Sequence, residues 1–135
     1  MKAAIESPIH LSVSIVLYNS SMELLQRTLQ SLQRSAEEAR AAACVDSVSV
    51  YVVDNSSDAE LRRRASELLA AWAKSDFFQV NYTALPENRG FGAGHNSVIP
   101  GQDSDYHLIL NPDALLAEDA LRVGLSSLED DRDIV

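Results

Sequence analysis

Apolar positions along this chain switch repeatedly between a period near two and a period near 3.6. Leu11-Ser12-Val13-Ser14-Ile15-Val16-Leu17-Tyr18 is β-branched and partly alternating, which predicts a short strand. Asn19 and Ser20 end it. Ser20 and Glu23 have capping-box spacing, so a helix is expected from near Ser21 to about Ala42. Leu25, Leu29, Leu32, Ala36, Ala39 and Ala43 mark one face of that helix, with charged residues opposite. A second strand is expected over 48–53, ending in Asp54-Asn55-Ser56-Ser57. Ser57 and Glu60 repeat the capping spacing, and Leu61, Ala65, Leu68 and Trp72 supply the next apolar stripe.

Residues 77–85 predict a third strand, closed by Pro86. Three of the five glycines then fall within Gly90 to Gly94, a segment suited to close backbone approach. A short helix is expected to begin there and end by Pro100-Gly101. Tyr106-His107-Leu108-Ile109-Leu110 reads as a strand buried on both faces, and a last helix is expected over 118–128 with Leu121, Leu125 and Leu128 on one side. The order β-α-β-α-β-α-β-α predicts a parallel sheet covered on both faces by right-handed crossovers. No linker or repeat interrupts it, so residues 1–10 read as an N-terminal extension and 11–135 as one domain. Asp133-Ile134-Val135 reads as the opening of a fifth strand, an expectation that the chain is the front part of something longer.

The chain has 135 residues, 46% of them hydrophobic, enough for a real core. No apolar run approaches the roughly 20 residues of a membrane span. The first residues lack the apolar core of a secretion signal, and the single cysteine, Cys44, offers no internal disulfide and fits a reducing compartment. A cytoplasmic location is therefore expected, with the full-length protein peripheral at the inner membrane face. A net charge of −9 opposes non-specific nucleic-acid binding, although backbone amides and a metal can still hold phosphate in an acidic protein.

Three strand ends are more polar than a scaffold requires: Tyr18-Asn19, Asp54-Asn55 and Asn111-Pro112-Asp113. In a parallel sheet they share the carboxyl edge, where open α/β sheets bind ligands. Pro112 cannot extend the ladder and holds Asn111 extended, so the fourth strand delivers an amide and a carboxylate to that edge. Such a carboxylate suits a hard divalent cation bridging to a diphosphate. Asp54 could accept hydrogen bonds from a base or ribose, as strand-end acids do in dinucleotide folds. Each feature also has a plain alternative: Asn-Pro-Asp as a turn with Asp113 capping the next segment, and Asp54 as a turn residue.

Taken together, Ser14-Ile15-Val16-Leu17-Tyr18-Asn19, Val53-Asp54-Asn55-Ser56-Ser57, Glu87-Asn88-Arg89-Gly90-Phe91-Gly92-Ala93-Gly94-His95-Asn96 and Leu110-Asn111-Pro112-Asp113 resemble family 2 glycosyltransferases of the GT-A fold. The nearest likeness is to their bacterial rhamnosyltransferase-like branch, which acts in polysaccharide biosynthesis. The resemblance covers Leu11 to about Leu128. It implies a Rossmann-like α/β three-layer sandwich with a mainly parallel sheet, truncated here, and a nucleotide-diphosphosugar donor. Tyr18, Asn19 and Asp54 would contact the nucleoside; Asn88, Arg89, Gly90 and Asn96 would line the floor beneath diphosphate and sugar. Asn111 and Asp113 stand at the family's Asp-x-Asp metal motif, with Asp113 binding Mg²⁺ or Mn²⁺ to neutralise the departing diphosphate. One carboxylate in place of two is expected to weaken metal binding without nucleotide.

The implied reaction is metal-dependent inverting transfer to a glycan or lipid-linked acceptor. The donor is expected to be deoxythymidine-diphosphate rhamnose, or else a uridine-diphosphate hexose. Inverting members take a general base from the domain's later half, and nothing in this chain matches it. Glu129, Asp130, Asp131 and Asp133 form a charged run better suited to a solvated surface. The chain alone is thus expected to bind donor without turning it over, and to self-associate as a homo-oligomer through the face a shortened domain leaves bare. A catalytically inactive nucleotide-sugar-binding module is the alternative.

Other classes fit less well. Gly90-Phe91-Gly92-Ala93-Gly94-His95 superficially resembles a dinucleotide fingerprint, but His95 replaces the third glycine and the segment follows the third strand. A receiver module needs an acidic pair after its first strand, where this chain has Tyr18-Asn19. His10 is expected to be exposed, His95 to take a supporting or surface place with donor contact as the alternative, and His107 to be a hydrogen-bonded core residue. Arg62, Arg63 and Arg64 spread around the helix axis and read as solvated surface. Trp72 reads as core.

Overall fold

The computed structural model describes residues 8–72, 75–85, 94–95 and 104–130. Its elements are β1 (His10–Leu17), α1 (Met22–Ala41), β2 (Ser47–Asp54), α2 (Ala59–Ala70), β3 (Phe78–Ala84), β4 (Tyr106–Leu110) and α3 (Ala120–Asp130). The strands form one sheet in the order β3-β2-β1-β4, and every neighbouring pair is parallel. From β1 to β3 the sheet grows in one direction. The chain then returns to place β4 on the other side of β1. A right-handed crossover travelling in the reverse direction must lie on the opposite face. The sheet therefore has a topological switch between β1 and β4.

Strand register separates the two faces. Leu11, Val13, Ile15 and Leu17 of β1 align with Val48, Val50, Val52 and Asp54 of β2, and with Phe78, Val80, Tyr82 and Ala84 one strand further out. This side buries Leu25, Leu29, Leu32, Ala36 and Ala39 of α1, Ala65 and Leu69 of α2, and Leu121 and Leu125 of α3 in one core. Burying each large aliphatic side chain contributes about 1.5–3 kcal/mol before entropy is counted. The other side carries His10, Ser12 and Ser14 of β1, Ser47 and Ser49 of β2, Gln79 and Asn81 of β3, and His107 of β4. Val16 and Val53 form its small apolar patch, packed by Tyr51 and Leu85. Among the described residues the two faces are covered unequally. All three described helices pack on the apolar face, and only the helical turn at Gly94-His95 is described on the polar one.

The described elements fall within two residues of their predicted bounds, and both caps shift by one; the short helix expected before Pro100-Gly101 lies outside the described residues except at Gly94-His95. Ser21, not Ser20, caps α1 by accepting the Leu24 amide; Asp58, not Ser57, caps α2 by accepting the amides of Glu60 and Leu61. Ser and Asp clusters offer several acceptors, and the spacing rule fits adjacent registers equally well. α1 ends with Ala43 in the left-handed region at φ 59°, where glycine is commoner.

Strand β4 departs most from expectation. Only Leu110 is buried and Ile109 is 51% exposed, because β4 is the edge of the described sheet. His10 is not free at the surface. Its Nδ1 hydrogen-bonds Ser47 Oγ, and its Nε2 lies 3.3 Å from Ser49 Oγ. Trp72 lies at the core's margin, 6.1 Å from the Phe78 ring, with Nε1 donating to Gln26 Oε1 at 3.2 Å.

Candidate donor site

A cleft of about 370 Å³ opens at the carboxyl edge between β1 and β4, lined by Val16, Tyr18, Ser20, Asn111, Pro112 and Asp113. This is the switch point, where two neighbouring strand ends diverge and leave a crevice. Tyr18 is 55% exposed, and Asn111 and Asp113 are also exposed, so all three are free to meet a ligand. Strand β4 and Pro112 bring Asn111 and Asp113 opposite Tyr18, as the sequence suggests.

Asp54 is placed differently from these. It is 1% exposed, and each carboxylate oxygen already has a protein donor. The Ser56 amide donates to Oδ1 at 2.8 Å and the Tyr82 hydroxyl donates to Oδ2 at 2.7 Å. Burial, and then the bond to Asp54, push the Tyr82 phenol above its ordinary range, so it stays a donor. Each oxygen of Asp54 keeps a second lone pair for a further donor. The same loop reaches β1: Asn19, left-handed at φ 50°, donates its amide to Ser56 Oγ at 2.9 Å, and the Asn55 amide donates to Leu17 O at 2.8 Å. Asparagine tolerates that conformation better than most residues.

Arg62 is the residue the sequence reading missed here. It is not solvated surface. Its Nε donates to Ser56 O at 2.5 Å and its Nη2 donates to Leu85 O, tying the loop after β2 to the exit of β3. Arg63 does match the expectation, pairing with Glu60 and Glu67 on the exposed face. The missed signal is periodicity, since Arg62, Ala65 and Leu69 fall at i, i+3 and i+7, and the last two are the buried residues of α2.

The Asn111–Asp113 arm is held by a second unread pattern. Thr28, Ser31, Ser35 and Glu38 recur at three- and four-residue spacing along α1 and form one stripe. Thr28 Oγ1 donates to Pro112 O at 2.8 Å. Ser31 Oγ and Ser35 Oγ accept the amides of Leu116 and Leu121 at 3.0 and 3.1 Å, and Glu38 accepts from Arg122 Nε at 2.6 Å. The chain after β4 is thus fixed to α1 from the Asn-Pro-Asp turn to α3.

Asn88, Arg89, Gly90 and Asn96 lie outside the described residues. Gly94 and His95 are described and dock on the polar face. A Cβ on Gly94 would meet Val16 Cγ2 at 2.7 Å and Asn55 Nδ2 at 3.2 Å, so a glycine is needed for this approach. His95 is 2% exposed, which rules out direct donor contact in this arrangement and gives it a supporting place. No group of three or more His, Cys, Asp or Glu is arranged to hold a metal among the described residues. One exposed carboxylate and one amide fit a cation only if a bound diphosphate and water supply the other ligands, the usual manner of Mg²⁺ at nucleotide sites.

Comparison with known proteins bears on the fold and the family. The chain overlays a crystal structure of S. aureus TarS, residues 1–349, with a TM-score of 0.66 at 18% identity, covering 92% of this chain and 33% of that one. TOM1-like protein 2 of Arabidopsis thaliana is 27% identical over 99 residues, which is 68% of this chain and 26% of that protein. The chain thus spans a third or less of the length of either. The α/β fold with a mainly parallel sheet is that of the GT-A class. The sequence model of glycosyl transferase family 2 matches residues 12–135, and the chain belongs to that family.

Proposed function

We propose that this domain binds a nucleotide-diphosphosugar in the cleft between β1 and β4 and belongs to an enzyme that transfers the sugar, with inversion, to a glycan or lipid-linked acceptor. The observation that carries the reading is the convergence of Tyr18, Asn111 and Asp113 on one crevice at the sheet's switch point. Tyr18 offers an exposed ring for the base, and Asn19 and Asp54 order the loop beside it. Asp113, with Asn111, would hold Mg²⁺ or Mn²⁺ shared with the diphosphate. That ion would supply Lewis-acid stabilisation of the leaving diphosphate. Thr28 keeps Asp113 in register by its bond to the Pro112 carbonyl. By the branch resemblance, the donor is deoxythymidine-diphosphate rhamnose, with a uridine-diphosphate hexose as the other choice.

Calorimetric titration with thymidine and uridine diphosphates, with and without Mn²⁺, tests this. Metal-dependent binding of one of them is expected, and Asp113→Ala should weaken it about tenfold or more, as loss of a charged ligand does. Binding that is indifferent to Mn²⁺ and to Asp113→Ala sinks the metal assignment. No binding of either by the folded chain sinks the donor reading.

A further inference from the structure

The polar face of the sheet holds a continuous chain of hydrogen bonds that the cleft residues do not explain. His95 Nδ1 lies 2.6 Å from Ser14 Oγ, and the same oxygen lies 2.9 Å from His107 Nε2. His107 Nδ1 is 2.6 Å from Ser12 Oγ, which in turn lies 2.7 Å from Ser104 Oγ. Ser12 and Ser14 are fully buried. A hydroxyl beside two imidazoles could suggest a nucleophile, but no substrate reaches an oxygen with no exposed surface.

We propose that Ser14, His95 and His107 are positioning residues of the donor site, docking Gly94-His95 on the sheet behind the cleft most firmly while both imidazoles are neutral. This rests on the donor reading above. Proton bookkeeping supports it. With neutral rings every bond is satisfied in either of two directions; in the first of them the donors follow one another from His95. His95 Nδ1–H donates to Ser14, Ser14 donates to His107 Nε2, His107 Nδ1–H donates to Ser12, and Ser12 donates to Ser104. Protonating His107 leaves Ser14 only the second direction, in which Ser14 donates to His95 Nδ1 and the His95 proton sits on Nε2. Protonating both rings leaves Ser14 between two N–H donors, with its own proton lacking either acceptor, and places two like charges across one oxygen.

The surroundings oppose the charged forms. Burial, then the neighbouring His107, lowers the His95 pKa, and burial lowers that of His107. The other described titratable groups on this face are His10 of β1 and Tyr51 of β2. Asp105, just ahead of β4, accepts the His10 amide at 2.8 Å. The acids of α1, α2 and α3 lie across the sheet, and both bonds of the His107 ring go to serines. The consequence reaches the cleft through Gly94, which abuts Val16 and Asn55; Val16 lines the cleft itself.

The test needs two measurements on the full chain. Without nucleotide, NMR from pH 8 to 5 should show both imidazoles titrating below the ordinary histidine value, with amide protection of Gly94 and His95 lost over that window while the β1–β2 ladder holds. With Mn²⁺ and the diphosphate that binds, affinity should fall over the same window. Ser14→Ala and His107→Gln should weaken binding about fivefold at pH 7.5, the scale of one buried hydrogen bond. They should also flatten the pH step, and the wild-type-to-variant ratio cancels the ligand's own protonation. Unchanged protection at Gly94 and His95 down to pH 5 overturns the proposal, and this arm needs no variant to fold. Nucleotide binding with identical pH profiles in wild type and variants also overturns it, leaving the donor reading intact. Protection lost with acid but no nucleotide bound at any pH refutes the donor reading and the positioning role with it.

Discussion

The two faces of the sheet are built on the same strands by different physics. On the helix side, alternate residues of β1, β2 and β3 are aliphatic or aromatic and pack against α1, α2 and α3 in a core with little exposed surface. Stability there is non-directional and proportional to area. On the other side the alternate residues are Ser, His, Gln and Asn, held by directed bonds that are satisfied only in particular protonation and tautomer states. The first kind of face tolerates shifts of a few tenths of an ångström and fixes the fold. The second fixes one segment in one place and responds to chemistry. The cleft between β1 and β4 opens where the two meet, at Val16.

The comparison breaks most severely on the apolar side. Leu29→Ala removes a fully buried side chain from beneath β1 and should cost about 2–5 kcal/mol in denaturant unfolding with an unchanged m-value. Gly94→Ala tests the polar side by shape. Its new methyl would lie 2.7 Å from a Val16 methyl on a stiff β-branched side chain, so about 1–3 kcal/mol of overpacking is expected. Nucleotide affinity should fall too, whereas Leu29→Ala should leave affinity intact in the folded fraction.

Tyr82→Phe probes the boundary between the faces. It removes the donor to Asp54 Oδ2 and should cost about 1 kcal/mol, with weaker nucleotide binding as the readout that separates it from a core defect. Arg63→Ala is the control. Its ion pairs with Glu60 and Glu67 are solvent-exposed, so a change within about 0.5 kcal/mol is expected, and a larger loss would show that the α2 surface matters more than its geometry suggests.

The sequence made strands β1 and β2 plain because β-branched residues are dense there, and β4 plain because its largely apolar run stops abruptly in Asn-Pro-Asp. The apolar stripe of α1 was equally plain. What stayed hidden was which polar residues are structural. Thr28, Ser31 and Ser35 keep helical period as faithfully as the leucines do, yet hydrophobicity alone reads them as a solvated side. His10, Ser12 and Ser14 alternate visibly along β1, but only the register with β4 brings His107 alongside Ser12, and that register is set by pairing across more than ninety residues. β4 was overestimated as buried because its composition is apolar while its place in the described sheet is an edge. The cleft was legible as two of the three polar strand ends, those after β1 and β4. The difference between Asp113, open to the cleft, and Asp54, closed in by Ser56 and Tyr82, was not, since both are acids at the end of a strand.

The polar stripe of α1 also bears on time. The bonds that shape the loop near Asp54 join residues no more than 38 apart, while those from α1 to the Asn-Pro-Asp arm join residues 84 to 86 apart. Closing the longer loops costs more chain entropy before any contact repays it. A refolding chain is therefore expected to assemble the loop near Asp54 first and the Asn-Pro-Asp arm last. In pulse-labelled exchange, the amides of Leu116 and Leu121 should gain protection after those of the β1–β2 ladder. On the proposed function, a half-folded molecule would then present its contact for the base before it could hold a cation.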